Sequence, residues 1–178
     1  MCEMLFIIDM QNDYVDDKKG KYPVPNAVAI IPNIIQEIKK QEEQGEPIYY
    51  TLDQHDTEAD DRSEKEKRWG MELHPTLKEA LQKHTAIKKD FHSISPEDAA
   101  QLRERYEDDP DRIIDFVGVE TNVCVLSNAV MLQNSFPLAS IRILKYLCVG
   151  TTVELHKEAL AVMKSLKMEI KALDKPQR

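Results

Sequence analysis

Short apolar runs that alternate with helical segments are the feature that most constrains the fold of this chain. Residues 4–8 are apolar throughout, as expected for a strand that is buried on both faces of a parallel sheet. Isoleucines at helical spacing follow between Asn26 and Gly45, and residues 47–52 form a second strand-like run. This order predicts an α/β fold, namely a three-layer, doubly wound (Rossmann-like) and mostly parallel sheet with helices on both faces.

The rest of the chain continues the same alternation. The patterns predict strands at 85–88, 112–117, 141–144 and 168–170, and helices at 77–82, 96–106, from about 121, and from a capping box at 151–154 to about 166. Residues 56–68 are almost wholly charged and predict a solvated flexible loop, with a lid as the alternative. Since no repeat or linker is visible, we expect one domain over residues 1–178.

Composition excludes several classes of partner. The formal net charge is −8, which makes a phosphate-tracking surface for nucleic acid a poor expectation. Cys2, Cys124 and Cys148 show no CxxC spacing, which favours a reducing compartment and argues against disulfides or a structural zinc cluster. The first residues lack a basic segment, and no apolar run approaches the roughly 20 residues that span a bilayer. We therefore expect a cytoplasmic protein without membrane anchoring.

Polar side chains follow several of the predicted strands. Asp9, Asp53, Lys88 and the segment 118–124 fall at strand ends, where ligands bind to open α/β sheets. The glycines of GxGxxG and GxxxxGK[ST] are absent, so dinucleotide and phosphate loops are not predicted. Cys124 lies where a strand turns into a helix, a position at which the helix dipole favours a thiolate. A nucleophilic site at this edge of the sheet is the functional hypothesis.

Four segments together carry a resemblance to a known family. They are Phe-Ile-Ile-Asp-Met-Gln-Asn-Asp-Tyr at 6–14, Leu-Asp-Gln-His at 52–55, Ile-Lys-Lys-Asp-Phe-His-Ser at 87–93 and Gly-Val-Glu-Thr-Asn-Val-Cys-Val at 118–125. In this order and spacing, the chain resembles the isochorismatase-like cysteine hydrolases, a superfamily that includes nicotinamidases. The similarity runs from about residue 4 to 170, and it implies a Rossmann-like fold and an enzyme that often forms homo-oligomers.

The resemblance also implies a catalytic triad of Asp, Lys and Cys, which maps onto Asp9, Lys88 and Cys124. Lys88 is preferred over its neighbour because Phe91 then matches the aromatic position of the family, three residues later. Lys89 is the alternative, since adjacent strand residues point to opposite faces and only one of the two can enter the pocket.

The chemistry expected from these residues is hydrolysis of a small amide or related carbonyl compound through a thioester on the cysteine. An ordinary thiol is only a few per cent thiolate at neutral pH, so it needs a base and a positive neighbour. Asp9 and the lysine supply these. The resemblance implies an oxyanion hole formed by the backbone N–H groups of Glu120 and Cys124, with a cis peptide between Val119 and Glu120.

The chain differs from nicotinamidases in the residues that could bind a metal. Asp53 and His55, spaced DxH, could ligate a divalent ion, but the histidine that nicotinamidases carry in a later loop has no counterpart in residues 62–70. His74 and His92 are poor substitutes. No cofactor is therefore firmly implied, a divalent metal stays open although its third ligand is missing, and that gap counts against nicotinamide as the substrate.

Several polar and aromatic residues are expected to line the substrate pocket. Asp53 and His55 are expected to shape it, with the aromatic side chains of Tyr14 and Trp69 as further candidates for its walls. If the Glu120 carboxylate faces the pocket, it disfavours anionic substrates.

Three alternatives to a small-molecule amide hydrolase stay open from the sequence. They are a metal-dependent nicotinamidase, a noncatalytic ligand-binding protein, and a redox-sensing thiol protein. Cys148 and Cys2 are interpreted as small buried apolar side chains.

Overall fold

Six parallel strands form one sheet at the centre of the protein. A computed structural model describes residues 2–54 and 60–172. The strands are Cys2–Ile8 (β1), Ile48–Asp53 (β2), Thr85–Lys89 (β3), Arg112–Val119 (β4), Ser140–Val149 (β5) and Glu169–Lys171 (β6). They pair side by side in the order β3-β2-β1-β4-β5-β6, and every pairing is parallel. The prediction of a parallel, doubly wound sheet is confirmed.

Helices cover both faces of this sheet. They are Asn12–Val15 (α1), Ala27–Gln44 (α2), Glu64–Met71 (α3), Pro75–Leu81 (α4), Pro96–Arg105 (α5), Leu126–Ser135 (α6) and Val153–Ser165 (α7). Buried side chains of α2 and α4 pack on one face of the sheet, and those of α5, α6 and α7 pack on the other. The three layers follow from strands that are apolar on both sides.

β1 shows why the apolar runs are continuous. Met4, Phe6 and Ile8 point into one core, whereas Leu5 and Ile7 point into the other, and all five are fully buried. Alternate side chains of a strand face opposite sides of the sheet, so a strand covered by helices on both sides must be apolar at every position.

The order of the strands fixes the location of a crevice. From β1 the chain adds β2 and then β3 on one side, and it returns to place β4 on the other side of β1. In doubly wound sheets, ligands bind where the strand order reverses, outside the carboxyl ends of the strands. In this protein that point lies between the ends of β1 and β4.

The charged segment differs from its prediction. Residues 64–71 form α3, and its first turn is closed by a capping box in which the Ser63 side chain accepts a hydrogen bond from the backbone of Glu66. The prediction of a flexible loop is therefore wrong for residues 64–68, while residues 55–59 lie outside the described part. The Ser-x-x-Glu spacing was the sequence signal for this helix.

Two other boundaries also moved. β5 extends from Ser140 to Val149, well beyond the predicted 141–144, and Thr152 rather than Thr151 caps α7 by accepting from the backbone N–H of Leu155. Within residues 2–54 and 60–172, no helix is long and apolar enough to cross a membrane.

Candidate active site

Asp9 is placed at the switch point by the end of β1. Its backbone adopts a positive φ of 49°, and its carboxylate is buried. Thr51 of β2 holds it in place: the threonine hydroxyl donates to Oδ1 of Asp9 at 2.6 Å, and the Thr51 oxygen accepts from the backbone N–H of Asp9 at 3.1 Å. The carboxylate is therefore held by a neighbouring strand and not by solvent.

The lysine in the site is Lys89, and the prediction of Lys88 is wrong. Nζ of Lys89 lies 2.8 Å from Oδ2 of Asp9, and its side chain is fully buried. Lys88 is exposed and contributes to a separate surface cavity. The cause is the alternation of β3, because Ile87 faces the interior and Lys89, two residues later, shares its face.

Cys124 completes the cluster from the other side of the crevice. It lies in a π-helical turn, Thr121–Val125, that connects β4 to α6, and it is 6% exposed. Its Sγ accepts a hydrogen bond from Nζ of Lys89 at 3.6 Å. Two strand ends, those of β1 and β3, and one helical turn thus bring Asp9, Lys89 and Cys124 together.

Burial controls the ionisation of this cluster. Burial raises the pKa of Asp9 above its usual range, although the Lys89 ammonium opposes the shift. Burial and the Asp9 carboxylate raise the pKa of the Cys124 thiol, again against Lys89. For Lys89 itself, burial lowers the pKa, but the negative charges of Asp9 and Cys124 outweigh that effect and raise it. Lys89 and Asp9 thus form an ion pair beside the thiol, and the burial of Cys124 opposes the effect expected from the helix dipole on its pKa.

β4 and β1 approach each other closely at Gly118, just before the turn that carries the cysteine. Gly118 has φ 114°, and a Cβ atom at this position would overlap the carbonyl oxygen of Ile8. Only glycine tolerates both conditions. The next peptide, between Val119 and Glu120, is cis, as the resemblance implied.

Asn128 supports the nucleophile and was missed by the sequence analysis. It is fully buried on α6, and its Nδ2 donates to the carbonyl oxygens of Cys124, at 2.7 Å, and of His92, at 3.0 Å. Its Oδ1 accepts from the N–H of Ile94 at 2.9 Å. Asn128 shares the buried face of α6 with Ala129 and Leu132, but the sequence does not show which backbone groups it meets.

Gln11 plays a similar part at the end of β2. Its side-chain oxygen accepts from the N–H of Asp53 at 2.8 Å, and Nε2 donates to the carbonyl oxygens of Asp53 and Met71. The Asp53 carboxylate also accepts a hydrogen bond from the hydroxyl of Tyr14 at 2.9 Å, and it lies 3.4 Å from Nζ of Lys89. Asp53 and Tyr14 thus lie next to the cluster.

A cavity of about 400 Å³ opens above Cys124. Its described lining includes the predicted pocket residues Tyr14 and Asp53, together with Tyr22, Asp90, Phe91, His92, Glu120, Val123 and Cys124. The prediction for Trp69 is wrong, because this half-buried side chain lines another cavity, with Arg62 of the preceding segment. His55 lies outside the described residues.

The fold and the cluster define a class: a doubly wound α/β protein with a buried aspartate, lysine and cysteine at the switch point of its sheet. The chain belongs to the isochorismatase family, whose domain model matches residues 3–172. Members of this family are hydrolases. The family identified from the sequence is confirmed.

Solved structures of related proteins cover nearly the whole chain. A pyrazinamidase/nicotinamidase from Streptococcus mutans UA159 is 26% identical, with a TM-score of 0.76 over 95% of this chain and 99% of that one. A nicotinamidase/pyrazinamidase from Bacillus subtilis is 25% identical, with a TM-score of 0.74 over 96% and 99% of the two chains. A pyrazinamidase of Pyrococcus horikoshii in complex with zinc is 24% identical, with a TM-score of 0.72 over 96% and 99%. No curated protein sequence matches the chain at a significant level.

The zinc in the Pyrococcus protein raises the question of a metal in this one. Ligand atoms of Asp9, Asp53 and Cys124 lie within 4.8 Å of one another, which would suffice by distance alone. Nζ of Lys89, however, lies 2.8, 3.4 and 3.6 Å from these same side chains. A divalent ion among them would be placed against a buried ammonium group, so these three residues do not fit a metal. The expectation that Asp53 and His55 do not hold one stays a prediction.

Proposed function

We propose that this protein is a cysteine hydrolase that cleaves the C–N bond of a small amide, with Asp9, Lys89 and Cys124 as its catalytic residues. The observation that supports this most directly is the position of the Lys89 ammonium between the Asp9 carboxylate and the sulfur of Cys124, a residue that lines the cavity. Belonging to a family of hydrolases favours catalysis over a purely binding role.

The first half of the reaction transfers the acyl group to the enzyme. Sγ of Cys124 attacks the carbonyl carbon while Asp9 takes the thiol proton, and the carbonyl oxygen becomes an oxyanion. Asp9 then gives this proton to the amide nitrogen, the C–N bond breaks, and ammonia or an amine leaves. The raised pKa values suit these steps, because the thiol needs a base and a carboxylate with a raised pKa is a better one.

The second half restores the enzyme. A water molecule gives a proton to Asp9 as it attacks the thioester carbonyl, and the sulfur leaves and regains the proton as the acid product forms. Lys89 keeps its proton throughout and offsets the negative charge that passes between Asp9 and Cys124. We place the oxyanion at the backbone N–H groups of Glu120 and Cys124, as the family resemblance implies.

Release of ammonia from a panel of small amides tests this function. The wild type is compared with Cys124→Ala and with Cys148→Ala, a matched control in which the other buried free thiol is removed. Cys148 lies in the core with its Sγ against the carbonyl oxygen of Phe116. We expect release from the wild type and from C148A, and none from C124A. Equal turnover by C124A would show that the cysteine is not the nucleophile.

A nicotinamidase is the second candidate, because the Streptococcus and Bacillus proteins are described by that activity. Nicotinamide and pyrazinamide therefore belong in the panel. Turnover of nicotinamide by a protein stripped of metal would show that this chain acts on it without the ion, whereas turnover only after zinc, iron or manganese is restored would point to a bound metal.

A further inference from the structure

The charges that line the active-site cavity indicate which kind of substrate it binds. Of the described residues that line the cavity, Asp53, Asp90 and Glu120 carry carboxylates, and none is a lysine or an arginine. The ammonium of Lys89 lies below the floor and is already shared by Asp9 and Asp53. One cation between two carboxylates leaves the inner cluster with a net negative charge, to which Asp90 and Glu120 add.

Lys21 is a second cation close to the cavity, and it is also balanced. Its Nζ lies 3.2 Å from Oδ2 of Asp60, and it sits 5.1 Å from the ring centroid of Tyr22. The carboxylate of Asp60 therefore balances its charge. Among the described residues that line the cavity, the carboxylates of Asp53, Asp90 and Glu120 therefore dominate the charge.

Glu120 is the lining carboxylate that is closest in sequence to Cys124. It is half-buried on the loop that leads to Cys124, and it lines the same cavity. Burial and the charge of Asp9 raise the pKa of this carboxyl group, although a hydrogen bond with Thr151 and the nearby His92 oppose the rise. A poorly solvated carboxylate that has lost water is stabilised by an opposite charge placed nearby.

Aromatic rings add to this effect. The rings of Tyr14 and Tyr22 stack with centroids 6.2 Å apart on one wall, and those of Phe91 and His92 lie 4.1 Å apart on another. Aromatic faces attract organic cations and pack against planar groups. At about 30 Å³ for each water-sized group, a cavity of 400 Å³ has room for a molecule on the order of a dozen non-hydrogen atoms.

From the charges and the rings together, we propose that the substrate is a small amide with a positively charged group on a compact, planar or short scaffold, and that Glu120, with Asp90, selects for that charge. The proposal rests on the function proposed above, and it makes these two carboxylates determinants of specificity. Substrates with carboxylate groups are disfavoured by the same charges.

Three benzamides of nearly equal shape test the proposal: 3-(aminomethyl)benzamide, a cation; 3-ethylbenzamide, its neutral isostere; and 3-carbamoylbenzoate, an anion. Binding of each to the wild type is measured by calorimetry at pH 8 and low salt, where an ordinary histidine is neutral. We expect the cation to bind roughly 3- to 10-fold more tightly than the neutral isostere, and the anion to bind more weakly than both. The preference should shrink at high salt.

Variants assign the effect to particular residues. In Glu120→Gln the ratio of cation to neutral affinity should fall toward one, and Asp90→Asn, at an exposed position, should lower it in part. Glu104→Gln makes the same chemical change on the exposed surface of α5 and should leave the ratio as in the wild type. Thermal melts check that each variant is folded. If E120Q does not fold, D90N alone tests the charge preference.

The outcomes separate this inference from the proposed function. The charge preference is overturned if the cation binds no more tightly than 3-ethylbenzamide. It is also overturned if the ratio of cation to neutral affinity is unchanged in both E120Q and D90N. Ammonia release from these compounds is followed in parallel, and its absence in C124A concerns only the hydrolase. A preference for the cation without turnover would support selection by charge and count against the reaction.

Discussion

Nζ of Lys89 and Oδ2 of Asp9 are 2.8 Å apart, and both side chains are withdrawn from solvent. Two strands that are not neighbours supply them, since β2 separates β3 from β1 in the sheet. An ion pair of this kind ties its members to each other because neither charge can be left alone in the interior. The pairing therefore links the stability of the fold to the chemistry of the site.

Exchanging each lysine in turn distinguishes the two candidates for the catalytic position. Lys89→Met should remove the partner of a buried carboxylate, which costs about 3–5 kcal/mol of stability, and should lower kcat/KM at least about 10²-fold. Lys88→Met, at the exposed neighbouring position, is the matched control and should stay near the wild type in both respects. Urea titration and ammonia release give the two measurements. Equal losses in the two variants would contradict the assignment of Lys89.

The choice between these lysines shows how far the sequence could lead. The segment at 87–93 indicated a lysine at the end of a strand, and two-residue alternation required one of the pair to face inward. Ile87 is buried and residues two apart share a face, which favours Lys89, whereas the spacing to Phe91 favours Lys88. The motifs of Asp9 and Cys124 follow strands that are apolar on both faces, so the two side chains lie at the crevice, and their catalytic roles stay a prediction.

Other parts of the site could not be predicted from a single sequence. Thr51 and Asn128 act through hydrogen bonds to groups 36 to 42 residues distant, as the separations of Asp9 from Thr51 and of His92 from Asn128 show. Local patterns do not reveal which polar residue meets which backbone group across a sheet. Trp69 was assigned to the pocket from its place in the sequence, and α3 turns it into a different cavity. The expectation that this protein forms homo-oligomers stays a prediction.

Gly118 should be the most sensitive glycine of the site. Gly118→Ala places a methyl group on the carbonyl oxygen of Ile8 at a φ of 114°, so we expect a loss of about 3 kcal/mol or more in the free energy of unfolding. Gly45→Ala is the control, since its φ is 72° but nothing lies within 4 Å, and it should cost about 1 kcal/mol. Urea denaturation compares them. Similar costs at the two sites would show that contact with Ile8 does not matter.

Asn128→Ala should weaken both the fold and the positioning of the nucleophile. It leaves the carbonyl oxygens of Cys124 and His92 and the N–H of Ile94 without this partner, and the expected cost is about 3 kcal/mol. Asn134→Ala lies on the same helix, at an exposed position bonded to the carbonyl oxygen of Val130, and should cost less than about 0.5 kcal/mol. We also expect kcat to fall more than KM changes in N128A, whereas a purely structural role would leave kcat of the folded protein intact.

Thr51→Val should shift the pH dependence of the reaction. The Thr51 hydroxyl lowers the pKa of Asp9 by donating to its carboxylate, so its removal raises that pKa. Because Asp9 must be ionised to accept the thiol proton, the acid limb of the kcat/KM profile should move to higher pH. A pH–rate profile of both proteins with the same amide checks this. An unchanged or lower acid limb would mean that the limb does not report Asp9.

Asp9→Asn should separate the reactivity of Cys124 from its catalytic use. Burial raises the pKa of the thiol, and the charge of Asp9 raises it further. Neutralising Asp9 therefore lowers the pKa, and at pH 7 iodoacetamide should alkylate Cys124 faster in D9N than in the wild type. D9N should nevertheless lose amide turnover, because no carboxylate is left to take the proton and return it to the leaving nitrogen.

Mass spectrometry of the alkylated peptide distinguishes Cys124 from the buried Cys148, whose pKa burial raises to about 12. Lys89→Met supplies the opposite change, since Lys89 lowers the pKa of Cys124, and it should slow alkylation at pH 7. In the wild type the rate should keep rising with pH beyond the range in which an ordinary thiol, with a pKa of about 8.5, has levelled off. Slower alkylation in D9N than in the wild type would show that Asp9 favours the thiolate, and Asp9 would then act as something other than the acceptor of the thiol proton.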